Sequence, residues 1–392
     1  MSDNSNPSQN SRRSFLKTTT AATAAVAAGS TLNVGRFAHG AGTRETVRIG
    51  LIGCGGRGSG AIQNALNASP QNEVVGLCDM FEDRLKFCRK TLETKRKDQT
   101  KVTDETCFLG FDGYKQLLET DIDVVLLCTP PYFRPMQLRA AIEAGKHVFC
   151  EKPPGKSVND IENVIVAQQK KPCLKLKYGF NHRYHDSVIE AMNIVKSGKL
   201  GYLLNIRGFY GKSMVVPFDN GWRCQKKYSG GGILLDQGIH MIDLINQFTS
   251  KIVDVKSFVS NDYWKHDVED NAYALLRDDQ NCVVLLHSSA TQWQHRFRMD
   301  ITLSEGSLEL HGILSGSKSY GEEKIIIFKK NPSNINGQMD SQNIRYLNDN
   351  SWEREITEFT NSIVNDTPIK IGTSLEALES MKLVFKIYKN GK

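Results

Sequence analysis

One glycine-rich turn, fixed in an alternating pattern, constrains this chain more than any other feature. Val47-Arg48-Ile49-Gly50-Leu51-Ile52 is a β-rich run, and Gly53-Cys54-Gly55-Gly56-Arg57-Gly58 follows it directly, ahead of a helical segment near Ala61–Ala68. A lone G-x-G-x-x-G is weak, because glycine-rich turns are common. Between a strand and a helix it has a mechanical meaning. Gly53 permits the tight turn, Gly55 lets the backbone approach a pyrophosphate, and Gly58 allows close helix–strand packing, while the helix N-terminus favours phosphate charge. Gly56 and Arg57 complete the loop expected to touch the dinucleotide. Asp79 ends the next apolar run, Glu73–Cys78, 21 residues after Gly58. There a carboxylate grips ribose hydroxyls and repels a 2′-phosphate. NAD is therefore the expected cofactor; NADP stays open, because Arg57 or Arg84 can offset Asp79.

The pattern continues with a strand at Asp123–Cys128, a helical stretch from about Pro135 to Ala144, and a strand at His147–Cys150. Continuous apolar strands joined by helices describe a parallel sheet covered on both faces. After Leu200 the β-rich runs near 202–210, 252–259, 271–277, 282–289, 297–303 and 323–328 follow one another, several without helices between them. The expected architecture is thus α/β. A Rossmann doubly wound parallel sheet is expected over 44–165, and a C-terminal α+β domain with a large, mostly antiparallel sheet over 166–392. At 392 residues and 40% hydrophobic, the chain is long enough for two cores.

Residues 1–40 read as an address. Ser11-Arg12-Arg13-Ser14-Phe15-Leu16-Lys17 has the S-R-R-x-F-L-K twin-arginine pattern, followed by an alanine-rich stretch from Thr18 to Gly29 and small residues at Ala38 and Gly40. The expectation is export of the folded protein by the twin-arginine translocase to the periplasm. Without residues 1–40 the balance is 46 basic against 42 acidic residues, and no basic block beyond Lys95-Arg96-Lys97 suggests a nucleic-acid or membrane surface. Nine scattered cysteines form no Cys-x-x-Cys pair, so no metal site is expected from them, and Cys54, Cys78, Cys128 and Cys150 read as small buried hydrophobes.

A second motif, Ala144-Gly145-Lys146-His147-Val148-Phe149-Cys150-Glu151-Lys152-Pro153, ends a strand in a charged pair and a proline. Ligands of open parallel sheets bind beyond the strands' carboxyl ends, so Lys152 is placed to face cofactor or substrate. Its bland alternative is a surface lysine in a turn. Further on, Gly230-Gly231-Gly232-Ile233-Leu234-Leu235-Asp236-Gln237-Gly238-Ile239-His240 opens a helix. At 100° per residue, Asp236, His240, Asp243 and Gln247 share one narrow stripe, and apolar residues cover most of the rest. A solvated stripe usually carries lysine and glutamate; this one has neither. Asp236 and His240, one turn apart, are expected to share a hydrogen bond.

The glycine-rich turn, Thr129-Pro130-Pro131, the Ala-Gly-Lys-His-Val run, Glu151-Lys152-Pro153 and the Gly230–His240 run together resemble the glucose–fructose oxidoreductase/inositol dehydrogenase (Gfo/Idh/MocA) family. The resemblance spans everything after residue 46. It implies a substrate domain whose open sheet often builds a dimer or tetramer interface, and a cis peptide before Pro153. It also implies a catalytic trio of Lys152, Asp236 and His240, with Thr129, Pro130 and Glu151 beside the cofactor. The family often has a histidine where Arg134 stands, which puts that contact in doubt. The matching loop Asn181-His182-Arg183-Tyr184-His185 implies substrate contact by Arg183 or Tyr184; His182 and His185 lack a third metal ligand of recognisable spacing. Trp222, Arg223 and Trp293 are candidates for a sugar platform, and packing explains each equally well.

The expected activity is hydride transfer between a secondary hydroxyl of a sugar, cyclitol or sugar derivative and a nicotinamide cofactor. His240 takes the hydroxyl proton, Lys152 steadies the substrate oxygen, and Asp236 orients His240 or the hydroxyl. A cofactor loaded before export must stay tightly bound. Two alternatives remain: a redox-neutral NAD-dependent glycosidase, and a non-catalytic nucleotide- or sugar-binding protein.

Overall fold

A computed structural model describes residues 46–213, 221–315, 319–331, 333 and 340–391. The expected export signal, residues 1–40, lies outside the described residues.

The first sheet contains β1 (Val47–Ile52), β2 (Asn72–Asp79), β3 (Cys107–Leu109), β4 (Val124–Leu127), β5 (His147–Glu151) and β6 (Leu176–Gly179), in the order β3-β2-β1-β4-β5-β6. Every pairing is parallel. The order reverses between β1 and β4, which opens a crevice beyond their carboxyl ends. β4 (VVLL) is buried throughout, as a strand covered on both faces must be. One face carries α1 (Gly56–Ala68) and α2 (Glu82–Lys95), whose Ile62, Leu66, Leu85 and Leu92 pack on Ile49, Leu51 and Val124. The other carries α3 (Gly113–Glu119), α4 (Arg134–Glu143) and α5 (Val158–Gln169), packed through Leu117, Leu138, Ala141 and Ile161.

The expected domain boundary at 165/166 requires correction, because it falls inside α5. Strand β6 pairs with β5 from Val148↔Leu176 to Glu151↔Gly179 and so extends the parallel sheet to residue 179. Lys177 lies within β6, which is buried throughout. Its fully buried ammonium donates to the Tyr184 hydroxyl at 2.6 Å and the Ile371 carbonyl at 2.7 Å. The chain also returns late: α8 (Ser351–Val364) puts Ile356 and Phe359 into the core shared by α1 and Phe149.

Between these lie α6 (Asp186–Ser197), β7 (Leu203–Gly211), a wide helical turn Leu234–Gly238 that runs into α7 (Ile239–Phe248), and strands β8 (Ile252–Ser260), β9 (Asn271–Asp278), β10 (Val283–Ser289), β11 (Arg296–Leu303), β12 (Gly306–His311), β13 (Glu323–Lys329) and β14 (Asp340–Tyr346), with α9 (Ser374–Asn390) closing the chain. The eight strands form one sheet, β14-β13-β12-β11-β7-β10-β9-β8, antiparallel except for β7–β10. Alternation sorts its faces: Ala272, Ala274 and Leu276 of β9 point inward, while Tyr273 and Leu275 are exposed. Phe258, Leu204 and Leu285 are exposed as well.

Candidate active site

The site is assembled at the carboxyl ends of β1, β4 and β5, where the wide turn before α7 faces them. Gly53 has φ of +97°, open to a residue without Cβ, and a Cβ on Gly58 would lie 1.7 Å from the Gly53 carbonyl oxygen. Helix and strand approach as closely as the spacing predicts. A Cβ on Gly56 would meet nothing within 4 Å, and the first turn of α1 has neither an acidic residue nor a side-chain cap. Open space beside unpaired N–H groups is a cradle that fits a pyrophosphate. Asp79 shapes this loop: its two carboxyl oxygens accept the Cys54 N–H at 2.6 Å and the Phe81 N–H at 2.8 Å. Burial pushes its carboxyl up, and those two N–H groups partly offset that. A carboxylate with lone pairs to spare still fits ribose hydroxyls.

Arg57 leaves the loop to meet Glu151 at 2.6 Å, and its guanidinium lies 3.6 Å over the Trp352 ring of α8. Thr129 Oγ1 donates to Gln137 Oε1 at 2.6 Å. The Lys152–Pro153 peptide is cis. Lys152 Nζ donates to the main-chain carbonyl of Asp236 at 2.6 Å, which ties the first sheet to the wide turn. Burial lowers the Lys152 ammonium to about 8, against the opposing pull of Asp236 and Glu151.

A cavity of about 320 Å³ lies between the two domains, lined by Lys152, Asp236 and His240 together with Trp222, Arg223 and Arg57. Burial would raise the Asp236 carboxyl, but Arg223, Lys152 and Lys212 outweigh it and hold the group well below the usual carboxylate range. His240 stacks on His182 at 3.8 Å between ring centroids and 9° between planes. Burial first, then His182 and Lys152, push it well below the usual imidazole range, which favours the neutral ring. Its Nδ1 has no hydrogen-bond partner. The hydrogen bond expected from Asp236 to His240 is therefore not formed. The segment Leu234–Gly238 is a π-helical turn, which rotates less than the 100° per residue assumed, and Asp236 is held instead by Arg223 at 3.4 Å.

The sequence of the first domain matches the family model "Oxidoreductase family, NAD-binding Rossmann fold" over residues 47–180. Residues 188–309 match "GFO/IDH/MocA C-terminal domain", and residues 9–29 match the twin-arginine translocation pathway signal sequence. The chain belongs to the Gfo/Idh/MocA family. Inositol 2-dehydrogenase of Salmonella paratyphi B is 27% identical over 202 residues, covering 51% of this chain and 54% of that protein. Glycosyl hydrolase family 109 protein 1 of Bacteroides thetaiotaomicron is 32% identical over 170 residues, 42% of this chain and 34% of that one. The chain thus spans about half or less of the length of these curated relatives. The solved aldose-aldose oxidoreductase from Caulobacter crescentus, complexed with glycerol, has TM-score 0.73 at 20% identity, covering 88% of this chain and 97% of that one, and shares the fold.

Two expected contact residues of this family member lie elsewhere. Arg183 is buried, with Nε and Nη2 on Asp243 at 2.7 and 2.5 Å and Nη1 on Glu376. Tyr184 donates to Glu358 at 2.6 Å and borders a separate open groove along α8. Neither lines the cavity. The short helical turn Asn181–Tyr184 directs Asn181 and His182 inward and the next two residues toward α7–α9 and α8. Asp243, on the same expected stripe, is likewise committed to Arg183. Trp293 is 61% exposed and packs on Tyr263 and Trp264, away from the cavity lining. The sequence reading missed Arg134, His182, Tyr210, Lys212 and Trp352 as lining residues. His182 and Arg134 were noticed but assigned no role; Lys212, at the end of β7, had an unused strand-end signal. Among the described residues, no group of three or more His, Cys, Asp or Glu side chains is placed to hold a metal.

Proposed function

We propose that this protein moves a hydride between a secondary hydroxyl of a sugar, cyclitol or sugar derivative and NAD, with NADP the less suited cofactor because Asp79 stands at the ribose position. The observation that carries the reading is the convergence of a neutral, unpartnered His240, the Lys152 ammonium and the ionised Asp236 in one cavity beyond the glycine-rich loop. Gly53, Gly55, Gly56, Gly58, Asp79, Thr129 and Pro130 would hold the dinucleotide, with Arg57 and Glu151 at its edge. When bound, that cofactor accepts or returns the hydride.

The chain's own residues manage the proton and the developing charge. His240 receives the hydroxyl proton. Lys152, anchored on the Asp236 carbonyl, directs its remaining N–H groups at the substrate oxygen and stabilises negative charge there. Asp236 keeps Lys152 protonated and neutralises Arg223 rather than orienting His240. His182, stacked on His240 and bonded to Tyr210 at 3.0 Å, fixes the plane of the base. Trp222 offers a flat apolar face to sugar C–H groups.

The twin-arginine signal supports export in the folded state, so the cofactor would be loaded first and retained in the periplasm. The exposed apolar face of the eight-stranded sheet would pair with a second copy. The test is a sugar panel followed both by nicotinamide absorbance and by product mass. Coupled oxidation of a sugar hydroxyl is expected. Release of an aglycone with no net nicotinamide change would mark a redox-neutral glycosidase instead, and absence of any turnover would overturn the enzymatic reading.

A further inference from the structure

The cavity carries more positive charge than its own carboxylates neutralise. Among the described residues its lining holds five permanent or titratable cations, Arg57, Arg134, Lys152, Lys212 and Arg223, against two carboxylates, Glu151 and Asp236. Glu151 is spent on Arg57, at 2.6 Å. Asp236 is shared by Arg223, Lys152 and Lys212, all three of which act on it. Arg134 forms no ion pair among the described residues: Nη1 donates to the Pro153 carbonyl, Nε is buried with no partner, and the only carboxylate charge that reaches it is that of Glu151, already bonded to Arg57. Only 5% of Arg134 is exposed, and burial lowers its guanidinium below the usual range. Lys212 has only its share of Asp236. No described residue accepts a hydrogen bond from its ammonium; burial lowers it, Asp236 opposes that, and Arg223 adds to it.

Desolvated cations that outnumber their counter-ions are costly, and such a surplus persists where an anionic ligand completes it. The pyrophosphate of a dinucleotide is not that ligand. Its cradle is the loop of Gly53–Gly58 at the N-terminus of α1, whereas Lys212 stands just past the end of β7 and Arg223 in the turn Trp222–Cys224, both in the second domain. His182 and His240 are held neutral there and add no charge of either sign.

We propose that the substrate is an anionic sugar, bearing a carboxylate, sulfate or phosphate group that docks among Lys212, Arg223 and Arg134 while its reacting hydroxyl faces Lys152 and His240. This rests on the oxidoreductase reading for the orientation of the sugar, but not for the charge it must carry. A planar guanidinium with a free N–H suits a carboxylate or an ester oxygen, and the neighbouring ammonium adds a second charge-assisted donor.

The mature protein, saturated with NAD, is titrated calorimetrically with D-glucose, D-glucuronate, D-glucose 6-sulfate and D-glucose 6-phosphate. Thermal stabilisation by inorganic sulfate supplies a readout of charge that does not depend on sugar stereochemistry. At least one charged sugar is expected to bind roughly ten- to a hundredfold tighter than D-glucose, the scale of hydrogen bonds to charged groups. The preferred member identifies which anion the site takes. Lys212→Gln and Arg223→Gln should each abolish most of that preference and the stabilisation by sulfate. Their unfolding midpoints without ligand report whether they fold. Equal or tighter binding of D-glucose overturns the proposal, as does failure of sulfate to stabilise the parent when no sugar binds. Turnover is scored separately: neutral sugars oxidised without a charge preference would sink the anionic assignment and leave the oxidoreductase standing. Tight binding of a charged sugar with no turnover would do the reverse.

Discussion

Two carboxylates at opposite ends of one helical segment meet opposite fates. Asp243, in α7, is fully buried, receives a bidentate guanidinium from Arg183, and lies in a network closed by Glu376 and Ser380. Asp236, in the wide turn just before α7, faces a cavity and three cations, with Arg223 at 3.4 Å. Around Asp243 every strong donor has a fixed acceptor. Around Asp236, the His240 Nδ1 and the Arg134 Nε have none. The same residue type on the same helix is structural where its partners are saturated, and available for chemistry where they are not.

The largest effect that probes this contrast is on stability. Asp243→Ala strands the Arg183 guanidinium in the core, with Glu376 as its remaining partner, and should cost about 3–5 kcal/mol. Equilibrium denaturation measures it, and a loss below about 1 kcal/mol would mean that the pair is not the closed structural unit described. At the other end, Lys152→Met should lower turnover by roughly 10²- to 10³-fold, the scale of losing one donor to a developing oxyanion. Its stability at pH 7 should equal or exceed the parent's, because a desolvated ammonium is removed. Near-normal turnover would take Lys152 out of the mechanism.

The pH dependence comes next. Lys152, faced by Asp236, Glu151, Lys212 and Arg223, titrates at about 8 in the folded chain. Activity against free substrate should therefore fall about tenfold per pH unit above 8. Asp236→Asn removes a charge that raises this value, so its basic limb should move toward acid; a profile that overlays the parent would separate Asp236 from Lys152. The linkage has a matching sign. Because the folded value lies below that of the unfolded lysine, the unfolded chain binds more protons between about pH 8 and 10.5, and this group's contribution to stability rises across that window. Lys152→Met should lose that rise. The smallest effect concerns Trp222: Trp222→Ala should raise KM by severalfold to about tenfold with kcat nearly unchanged, as expected for loss of one aromatic face. An equal fall in kcat would assign Trp222 to the transition state instead.

Much of the scaffold was legible in local sequence. The strand, glycine-rich turn and helix at Val47–Ala68 announce themselves because each signal is local: apolar continuity, a positive φ, and a close approach that only glycine permits at Gly58. The apolar run near Leu176–Phe180 reads as a strand end, but nothing local assigns it to the first sheet, and the burial of Lys177 within it depends on Glu358 and Ile371, more than 180 residues away, together with Tyr184. The returning helix α8 is amphipathic, but nothing local says that its apolar face, through Ile356 and Phe359, packs on the first domain and brings Trp352 to Arg57.

For the site, the sequence by itself determined which residue types are present and their order: the glycine loop, Asp79, Lys152, and Asp236 ahead of His240. Tertiary structure alone decided which of them meet. It turned Arg183 and Tyr184 away, stacked His182 on His240 in place of the expected Asp236 contact, and gathered Arg134, Lys212 and Arg223 around one cavity. The reason is physical. Helical periodicity predicts neighbours only along an ideal helix, and the π-turn at Leu234–Gly238 departs from one. The pairing of buried charges depends on which elements pack face to face, and contacts such as Arg183 with Glu376, 193 residues apart, are written in no local pattern.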